Sequence, residues 1–196
     1  MSNAKSRLKI AIAGLGVVGA EVARHVINHS DELSVAAGTQ LQVVAVSARH
    51  RSVDRGVNLD GIEWYDEAPK LAECDDIDII IEMIGGSEGV ALDLARAALG
   101  SGKHLITANK AMIAHHGAEL AQLAEANDTH LLFEAAVAGG IPAVKTLREG
   151  LAGNKITRVA GILNGTCNYI LSTMETTGCD FEGVLAEAQR LGYAEA

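Results

Sequence analysis

Three glycines near the amino terminus have the spacing that phosphate-binding loops use. A β-prone run, Lys9–Ala13, leads directly into Gly14, Gly16 and Gly19 in the pattern G-x-G-x-x-G. In a strand–turn–helix unit the first glycine permits the tight turn. The second lets the backbone approach a pyrophosphate, and the third lets the helix pack against the strand. We predict a dinucleotide-binding loop, with a purely structural glycine turn as the alternative. Its predicted cofactor-binding residues are Gly14, Leu15, Gly16, Val17, Val18 and Gly19.

The end of the second predicted strand indicates which dinucleotide is bound. Many NAD sites place an acidic residue there to hold the ribose 2′-hydroxyl. This sequence instead has Ser47, Arg49 and Arg51. A hydroxyl and two guanidinium groups suit a 2′-phosphate, because guanidinium pairs bidentately with phosphate oxygens. We therefore favour NADP(H), without excluding NAD(H). The alternative is that both arginines are solvated loop charges.

Lys110 follows a predicted buried strand, His104–Thr107, at the edge where open α/β sheets bind ligands. A lysine there can act on a carbonyl oxygen as a cation or, when desolvated, carry a proton. A surface lysine that opens a helix is the alternative. Residue chemistry alone does not decide between the two.

Glu134 interrupts an otherwise apolar run, Leu131–Ala138. A carboxylate so placed should be paired, hydrogen-bonded or bound to a metal. The glycines that follow expose backbone carbonyls, which together with one carboxylate suit a hard cation. A structural glutamate satisfied by N–H groups is the alternative.

The turn Asn164–Tyr169 offers hydroxyl, amide and free N–H groups that suit a small polar substrate. Thr166 is the candidate ligand in this turn, and a plain turn with Thr166 as the helix N-cap is the alternative. His115 and His116 are adjacent and point to different helix faces, so we expect solvent exposure rather than metal ligation.

Alternating strand and helix signals position these residues and predict an α/β fold with a Rossmann-type, doubly wound parallel sheet. The pattern changes near residue 140. We therefore predict a dinucleotide-binding domain over residues 1–140 and the beginning of an incomplete α+β domain over residues 141–196. The predicted strands are Leu8–Ala13, Leu41–Ser47, Ile77–Met83, His104–Thr107, Leu131–Ala135 and Ile156–Leu163. The predicted helices are Val17–Asn28, Glu67–Glu73, Val90–Leu99, Ala118–Ala126, Ala143–Leu151, Tyr169–Met174 and Phe181–Leu191. Ser30–Gln40 and Arg49–Gly61 are predicted to be connections.

Composition narrows the class of partner and compartment. The formal net charge is −9, and basic residues do not cluster, which argues against nucleic acid. Cys74, Cys167 and Cys179 form no C-x-x-C pair, so we expect neither a disulfide framework nor a zinc site, and a reducing cytoplasm fits best. No apolar run is long enough to span a bilayer, so we expect no membrane partner.

Five motifs together resemble the homoserine dehydrogenase family, from about residue 8 to the end of the chain. The first is shared by many dehydrogenases, whereas the glycine–proline and N-G-T-x-N-Y-I-L segments are specific to this family. The motifs are Gly14–Gly19, Ile106–Ala111, Glu134–Pro142, Gly161–Leu171 and Leu191–Glu195.

The resemblance implies reversible hydride transfer between NAD(P)H and the aldehyde of L-aspartate 4-semialdehyde, which gives L-homoserine for threonine and methionine biosynthesis. It implies that Lys110 is catalytic and lies near nicotinamide and substrate, that Thr166 and Glu195 bind substrate, and that the whole protein is a homodimer. Gly85, Lys110 and Gly192 join the cofactor-binding set. A structural sodium site is implied at Glu134 and the carbonyls of Val137, Gly139 and Ile141.

The sequence departs from the family pattern at its carboxyl end. By the resemblance, family members continue past the match to Glu195 with a segment that begins Asp-Pro and contains an aspartate and a lysine assigned to substrate binding and proton transfer. This chain is therefore expected to show little or no turnover alone. Another amino-acid or semialdehyde dehydrogenase of Rossmann type is one alternative. A semialdehyde dehydrogenase that acylates phosphate needs a nucleophilic cysteine, and the candidate, Cys167, has no histidine near in sequence to activate it. A non-catalytic nucleotide-binding module is the other.

Overall fold

The computed structural model describes residues 6–162 and 164–194. The chain separates into two compact units, one ending at Thr146 and the other beginning at Leu147. The boundary predicted after residue 140 lies close to this division and stays a prediction. No helix among the described residues is both long enough and apolar enough to cross a bilayer.

The first unit contains a six-stranded sheet in the order β3-β2-β1-β4-β5-β6, with every neighbouring pair parallel. The strand order reverses between β1 and β4, which is the topological switch point of a doubly wound sheet. The predicted Rossmann-type parallel sheet is confirmed. The strands are β1 (Arg7–Ala13), β2 (Gln40–Ser47), β3 (Glu63–Tyr65), β4 (Ile79–Glu82), β5 (His104–Thr107) and β6 (Leu131–Leu132).

Helices cover the sheet and continue into the second unit. The predicted bounds of α1 and β5 match the structure. In chain order the helices are α1 (Val17–Asn28), α2 (Ser30–Ala37), a 3₁₀ helix (Ala68–Glu73), α3 (Val90–Gly100), α4 (Lys110–Ala126), a 3₁₀ turn (Glu134–Ala136), α5 (Ala143–Lys145), a π-helical turn (Thr146–Gly150), α6 (Gly165–Thr177) and α7 (Phe181–Arg190).

Side-chain alternation along β1 divides the core into two apolar layers. Ile10 and Ile12 pack with Ala23 of α1 on one face, whereas Ala11 and Ala13 pack with α3 and α4 on the other. Both faces of β1 are therefore covered, as buried parallel strands require. Because β1, β4 and β5 pair in parallel, their carboxyl ends lie at one edge of the sheet.

Several predicted elements of the first unit differ from the structure. The predicted connection Ser30–Gln40 contains α2, which was missed because it buries none of its residues and so has no apolar face to detect. Strand β3 lies where no element was predicted and is only three residues long. Helix α4 begins at Lys110 rather than Ala118, and β6 ends at Leu132 rather than Ala135.

In the second unit the predicted strand Ile156–Leu163 is wrong for residues 156–162, and Leu163 lies outside the described residues. A strand needs a neighbour for its backbone hydrogen bonds, and none of the described segments pairs with this one. Helices α6 and α7 pack together through Ile170, Val184 and Ala188. Helix α6 is longer than the predicted Tyr169–Met174.

The turn after β1 is packed backbone against backbone. Gly14 has φ +94°, and a Cβ there would lie 2.5 Å from the carbonyl oxygen of Met83. A Cβ at Gly19 would overlap the carbonyl oxygen of Gly14. Only glycine fits at either position without moving the turn or the start of α1.

We expect Gly19→Ala to lower the free energy of unfolding by about 1–3 kcal/mol, because the added methyl group forces the Gly14 turn away from α1. Gly16→Ala is the matched control. A Cβ at Gly16 meets no atom within 4 Å and its φ is −69°, so a change within about 0.5 kcal/mol is expected. Urea denaturation of the three proteins measures both values. Equal stability of the two variants would contradict this packing account.

Candidate functional site

Backbone hydrogen bonds connect the glycine loop and the end of β1 to the two strands that flank β1, namely β2 and β4. The Gly14 N–H donates to the carbonyl of Ser47 at 2.8 Å, and the Met83 N–H donates to the carbonyl of Ala13 at 2.7 Å. These bonds hold the carboxyl ends of β1, β2 and β4 together at the switch point. The loop therefore occupies the place where doubly wound sheets bind nucleotides.

The start of α1 has the properties of an anion site. Gly16 is its N-cap, no side chain caps it, and its first turn contains no acidic residue. The first N–H groups of an α-helix have no acceptor within the helix, and they lie at the positive end of its dipole. Val17 is 91% exposed and Val18 is also exposed, so this end of α1 is open to a ligand. The open space at Gly16 permits a phosphate to approach the backbone.

The segment after β2 presents two arginines to solvent. Arg49 and Arg51 are exposed, and the Arg51 guanidinium lies 5.9 Å from the centroid of the Trp64 ring. Ser47 is only 3% exposed, and its carbonyl accepts the Gly14 N–H. The two arginines are therefore the accessible groups of this predicted set, whereas Ser47 contributes to the shape of the turn.

Arg55, which the sequence did not single out, joins this segment to the glycine loop. Its Nε donates to the carbonyl of Leu15 at 3.1 Å, Nη1 to Val53 at 2.7 Å and Nη2 to His50 at 2.5 Å. Its guanidinium also lies 5.3 Å from the Trp64 ring centroid. A cation–π contact so placed orients the guanidinium. No sequence pattern distinguishes Arg55 from a solvated loop charge, because its partners are backbone carbonyls.

A buried carboxylate connects the ends of β4 and β5. Glu82 is fully buried, and its Oε1 accepts the N–H groups of Ile84 at 2.6 Å and Gly85 at 3.1 Å. Its Oε2 accepts the Thr107 hydroxyl at 2.5 Å. Its sequence signal is an acidic residue within a mostly apolar run, as for Glu134, although Ile77–Met83 contains a second acidic residue, Asp78. Gly85 has φ +84°, and its N–H is occupied by Glu82.

Lys110 is exposed at the first position of α4. Asn109 precedes it as the N-cap, with Oδ1 accepting the Met112 N–H at 3.1 Å. The Asn109 Nδ2 donates to the carbonyl of Gly86 at 2.6 Å, so the start of α4 is tied to the turn after β4. The structure therefore places Lys110 at the same sheet edge as the glycine loop and pairs it with no carboxylate among the described residues.

Ion pairs hold α4 against its neighbours further along the helix. Arg96 of α3 contacts Glu119 through Nε at 2.7 Å and Nη2 at 2.8 Å, and this hydrogen bonding lowers the pKa of Glu119. His116 contacts Glu88 at 2.8 Å. At the end of β3, burial raises the pKa of Tyr65 to about 12, helped by hydrogen bonds to Cys74 and Glu63.

The predicted cation site at Glu134 is an exposed turn in which the carboxylate accepts the Gly140 N–H at 2.8 Å. Ala138 has φ +58° within this turn. One Glu134 oxygen therefore has a backbone N–H partner, and this bond does not decide between the structural glutamate and the cation site. The carbonyl-bearing residues Val137, Gly139 and Ile141 are also exposed. Within the described ranges no three His, Cys, Asp or Glu side chains form a metal-binding group.

In the second unit, the Thr166 hydroxyl donates to the carbonyl of Tyr193, which ties the start of α6 to the turn after α7. Asn164, rather than Thr166, caps α6, and its Oδ1 accepts the Cys167 N–H at 2.8 Å. Gly192 has φ +78° in the same turn as Tyr193. Glu195 lies outside the described residues.

Comparison with known proteins identifies the family. Residues 14–134 match the family model described as "Homoserine dehydrogenase, NAD binding domain", and residues 142–196 match that described as "Homoserine dehydrogenase". The homoserine dehydrogenase of Corynebacterium glutamicum is 47% identical over 97% of this chain and 42% of its own length. That of Mycobacterium leprae is 45% identical over 95% of this chain and 42% of its own length.

Solved structures agree. A homoserine dehydrogenase from Thiobacillus denitrificans matches with a TM-score of 0.82 at 41% identity, over 97% of this chain and 44% of that one. A hyperthermophilic archaeal homoserine dehydrogenase mutant in complex with NADPH matches with a TM-score of 0.76 at 28% identity, over 96% of this chain and 62% of that one. The chain thus spans less than half the length of the curated relatives that it matches. On this evidence, the chain belongs to the homoserine dehydrogenase family.

Proposed function

We propose that the protein binds a nicotinamide dinucleotide at the carboxyl edge of its sheet and interconverts L-aspartate 4-semialdehyde and L-homoserine. One observation carries the proposal: the uncapped start of α1, with open space at Gly16, lies at the switch point between β1 and β4. Family membership and a relative in complex with NADPH support the nicotinamide cofactor. Family membership supports the reaction and substrate.

The chemistry assigns a role to Lys110. A nicotinamide bound here would supply a hydride to the aldehyde carbon of the semialdehyde or, in the reverse direction, accept one from the hydroxyl-bearing carbon of homoserine. During reduction, negative charge would develop on the aldehyde oxygen until a proton is added to it, and a nearby cation would stabilise that charge. Lys110, exposed at the start of α4 and on this sheet edge, is the residue that we assign to this task. Thr166 and Glu195 are proposed to bind the substrate, with Glu195 holding its amino group, and Gly85 and Gly192 are proposed to contact the cofactor.

Three further assignments complete the proposal. Glu134 with the carbonyls of Val137, Gly139 and Ile141 is proposed to hold a structural sodium ion, since one carboxylate and exposed carbonyls suit a hard cation. A homodimer is the proposed assembly, by resemblance to the family. The cytoplasm is the proposed compartment, because three cysteines without a C-x-x-C pair suit reducing conditions.

The reaction is tested by following NADPH formation from NADP⁺ and L-homoserine with the gene product that contains this chain. We expect turnover, and we expect Lys110→Ala to reduce kcat by roughly a hundredfold or more, because a charge-stabilising cation is lost. Lys70→Ala is the control, since Lys70 is an exposed lysine paired with Glu67 in the 3₁₀ helix.

Two outcomes would contradict the proposed reaction, and a third would contradict the role of Lys110. Tight NADPH binding without homoserine oxidation would indicate a non-catalytic nucleotide-binding module. NADPH formation that depends on phosphate and semialdehyde would indicate an acylating semialdehyde dehydrogenase. Equal activity of Lys110→Ala and Lys70→Ala would remove Lys110 from the mechanism.

Cofactor preference is tested separately on this chain. We propose that Arg49 and Arg51 hold the 2′-phosphate of NADP(H). A hydrogen bond to a charged group is worth about 1.5–3 kcal/mol, so replacing either arginine by alanine should weaken NADPH binding roughly tenfold to a hundredfold and leave NADH binding unchanged. Isothermal titration calorimetry with both cofactors measures this difference.

Arg7→Ala is the control for the arginine variants, because Arg7 begins β1 and so lies at the opposite end of that strand from the glycine loop. It should change neither affinity. Equal losses of NADPH and NADH binding in the Arg49 and Arg51 variants, or no loss of either, would leave these arginines as solvated loop charges.

A further inference from the structure

Glu82 is a buried carboxylate at the end of a strand whose other residues are all isoleucine. The rest of β4 is Ile79–Ile81, and Glu82 pairs with Ala13 on one side and Thr107 on the other. Burying a carboxylate is unfavourable unless hydrogen bonds compensate. Both oxygens of Glu82 have such bonds, and all of them go to groups at the carboxyl edge.

The hydrogen bonds to Glu82 determine the direction in which the backbone N–H groups of the turn after β4 point. The N–H groups of Ile84 and Gly85 point inward to Oε1. Both N–H groups are therefore already occupied and do not bind a phosphate. A Cβ at Gly85 would meet no atom within 4 Å, so the outer face of the turn is open. This turn can take a flat ring against its backbone, in contrast to the start of α1, where free N–H groups suit phosphate.

A closed ring of hydrogen bonds links this turn to α4. The Thr107 hydroxyl donates to Glu82, and its oxygen accepts the Asn109 N–H at 2.9 Å. The Asn109 side chain then caps α4 and donates to the carbonyl of Gly86. The ring runs from Glu82 through Thr107 and Asn109 and returns through the turn to Glu82. Lys110 is the next residue after this ring.

We propose that Glu82 is a positioning residue: it holds the turn Ile84–Gly86 and the start of α4 in the one arrangement that receives the nicotinamide half of the dinucleotide. A dinucleotide with its pyrophosphate at α1 must cross the switch point from β1 toward β4. The turn that Glu82 holds is the backbone on that side. This inference rests on the proposed cofactor, and it adds a residue that acts through Thr107 and Asn109.

Glu82→Gln tests the proposal because it keeps the shape of the side chain and replaces one acceptor by a donor. With the glutamine oxygen on the turn amides, its NH₂ group can donate to the second lone pair of the Thr107 oxygen, but the buried Thr107 hydroxyl proton then loses the acceptor that Glu82 provides. In the flipped orientation the NH₂ group faces two N–H donors. Either orientation therefore leaves buried donors without an acceptor, which is unfavourable.

The measurement compares two ligands on the same chain. NADPH carries nicotinamide, whereas adenosine 2′,5′-bisphosphate carries only the adenosine half. We expect Glu82→Gln to weaken NADPH binding at least tenfold and to abolish the change in nicotinamide fluorescence on binding. Binding of adenosine 2′,5′-bisphosphate should stay within twofold of wild type. A merely structural role would weaken both ligands together.

Thr107 supplies an independent test that holds even where Glu82→Gln fails to fold. Thr107→Val removes the hydroxyl at nearly constant volume and should reproduce the selective loss of NADPH, whereas Thr107→Ser keeps the hydroxyl and should bind like wild type. The Glu82→Gln, Thr107→Val double variant should bind NADPH no more weakly than the weaker of the two single variants, because the hydrogen bond from the Thr107 hydroxyl to Glu82 is lost in all three.

The outcomes separate this inference from the proposed function. Failure of the wild-type chain to bind NADPH would overturn the proposed cofactor. Wild-type binding with unchanged NADPH affinity in Thr107→Val, or with equal losses for both ligands, would overturn the role of Glu82 alone.

Discussion

A Cβ atom at Gly19 would overlap the carbonyl oxygen of Gly14, and one at Gly14 would press on the carbonyl of Met83. The rest of the site depends on this close backbone packing. It brings the start of α1 against the ends of β1 and β4, so that the open end of the helix dipole faces the switch point of the sheet. Larger residues at these two positions would move α1, and with it the helix amides available to phosphate.

The second half of the edge is held by polar groups rather than by backbone packing. Glu82 forms hydrogen bonds with the turn after β4 and with the end of β5, and Asn109 connects both to α4. The two halves therefore offer different chemistry. Free helix amides at α1 suit an anion, whereas the turn beyond Glu82 has its N–H groups turned inward. This division fits a ligand with charge in its middle and a flat ring at one end, which is the form of a nicotinamide dinucleotide.

The sequence predicted the parts of this fold in which local pattern and tertiary environment agree. Helix α1 and strand β5 carry strong periodic or apolar signals, and their bounds matched. Helix α2 buries no residue, so its sequence has no helical repeat of apolar residues from which the helix could be predicted. At the site, the spacing of the three glycines predicted where the loop lies in the fold. The roles of Glu82 and Arg55 did not follow from sequence, because their partners are backbone groups or residues far along the chain.

We propose that the dinucleotide lies across the carboxyl edge of the sheet, from α1 to the turn after β4. Hydrogen exchange measured by mass spectrometry, with and without NADPH, tests it most directly. The account predicts slower amide exchange on binding in residues 14–19 and 84–86. Segments at the amino ends of the strands, such as residues 40–42, should exchange at an unchanged rate. Protection confined to those amino ends, or absent from the glycine loop, would contradict the account.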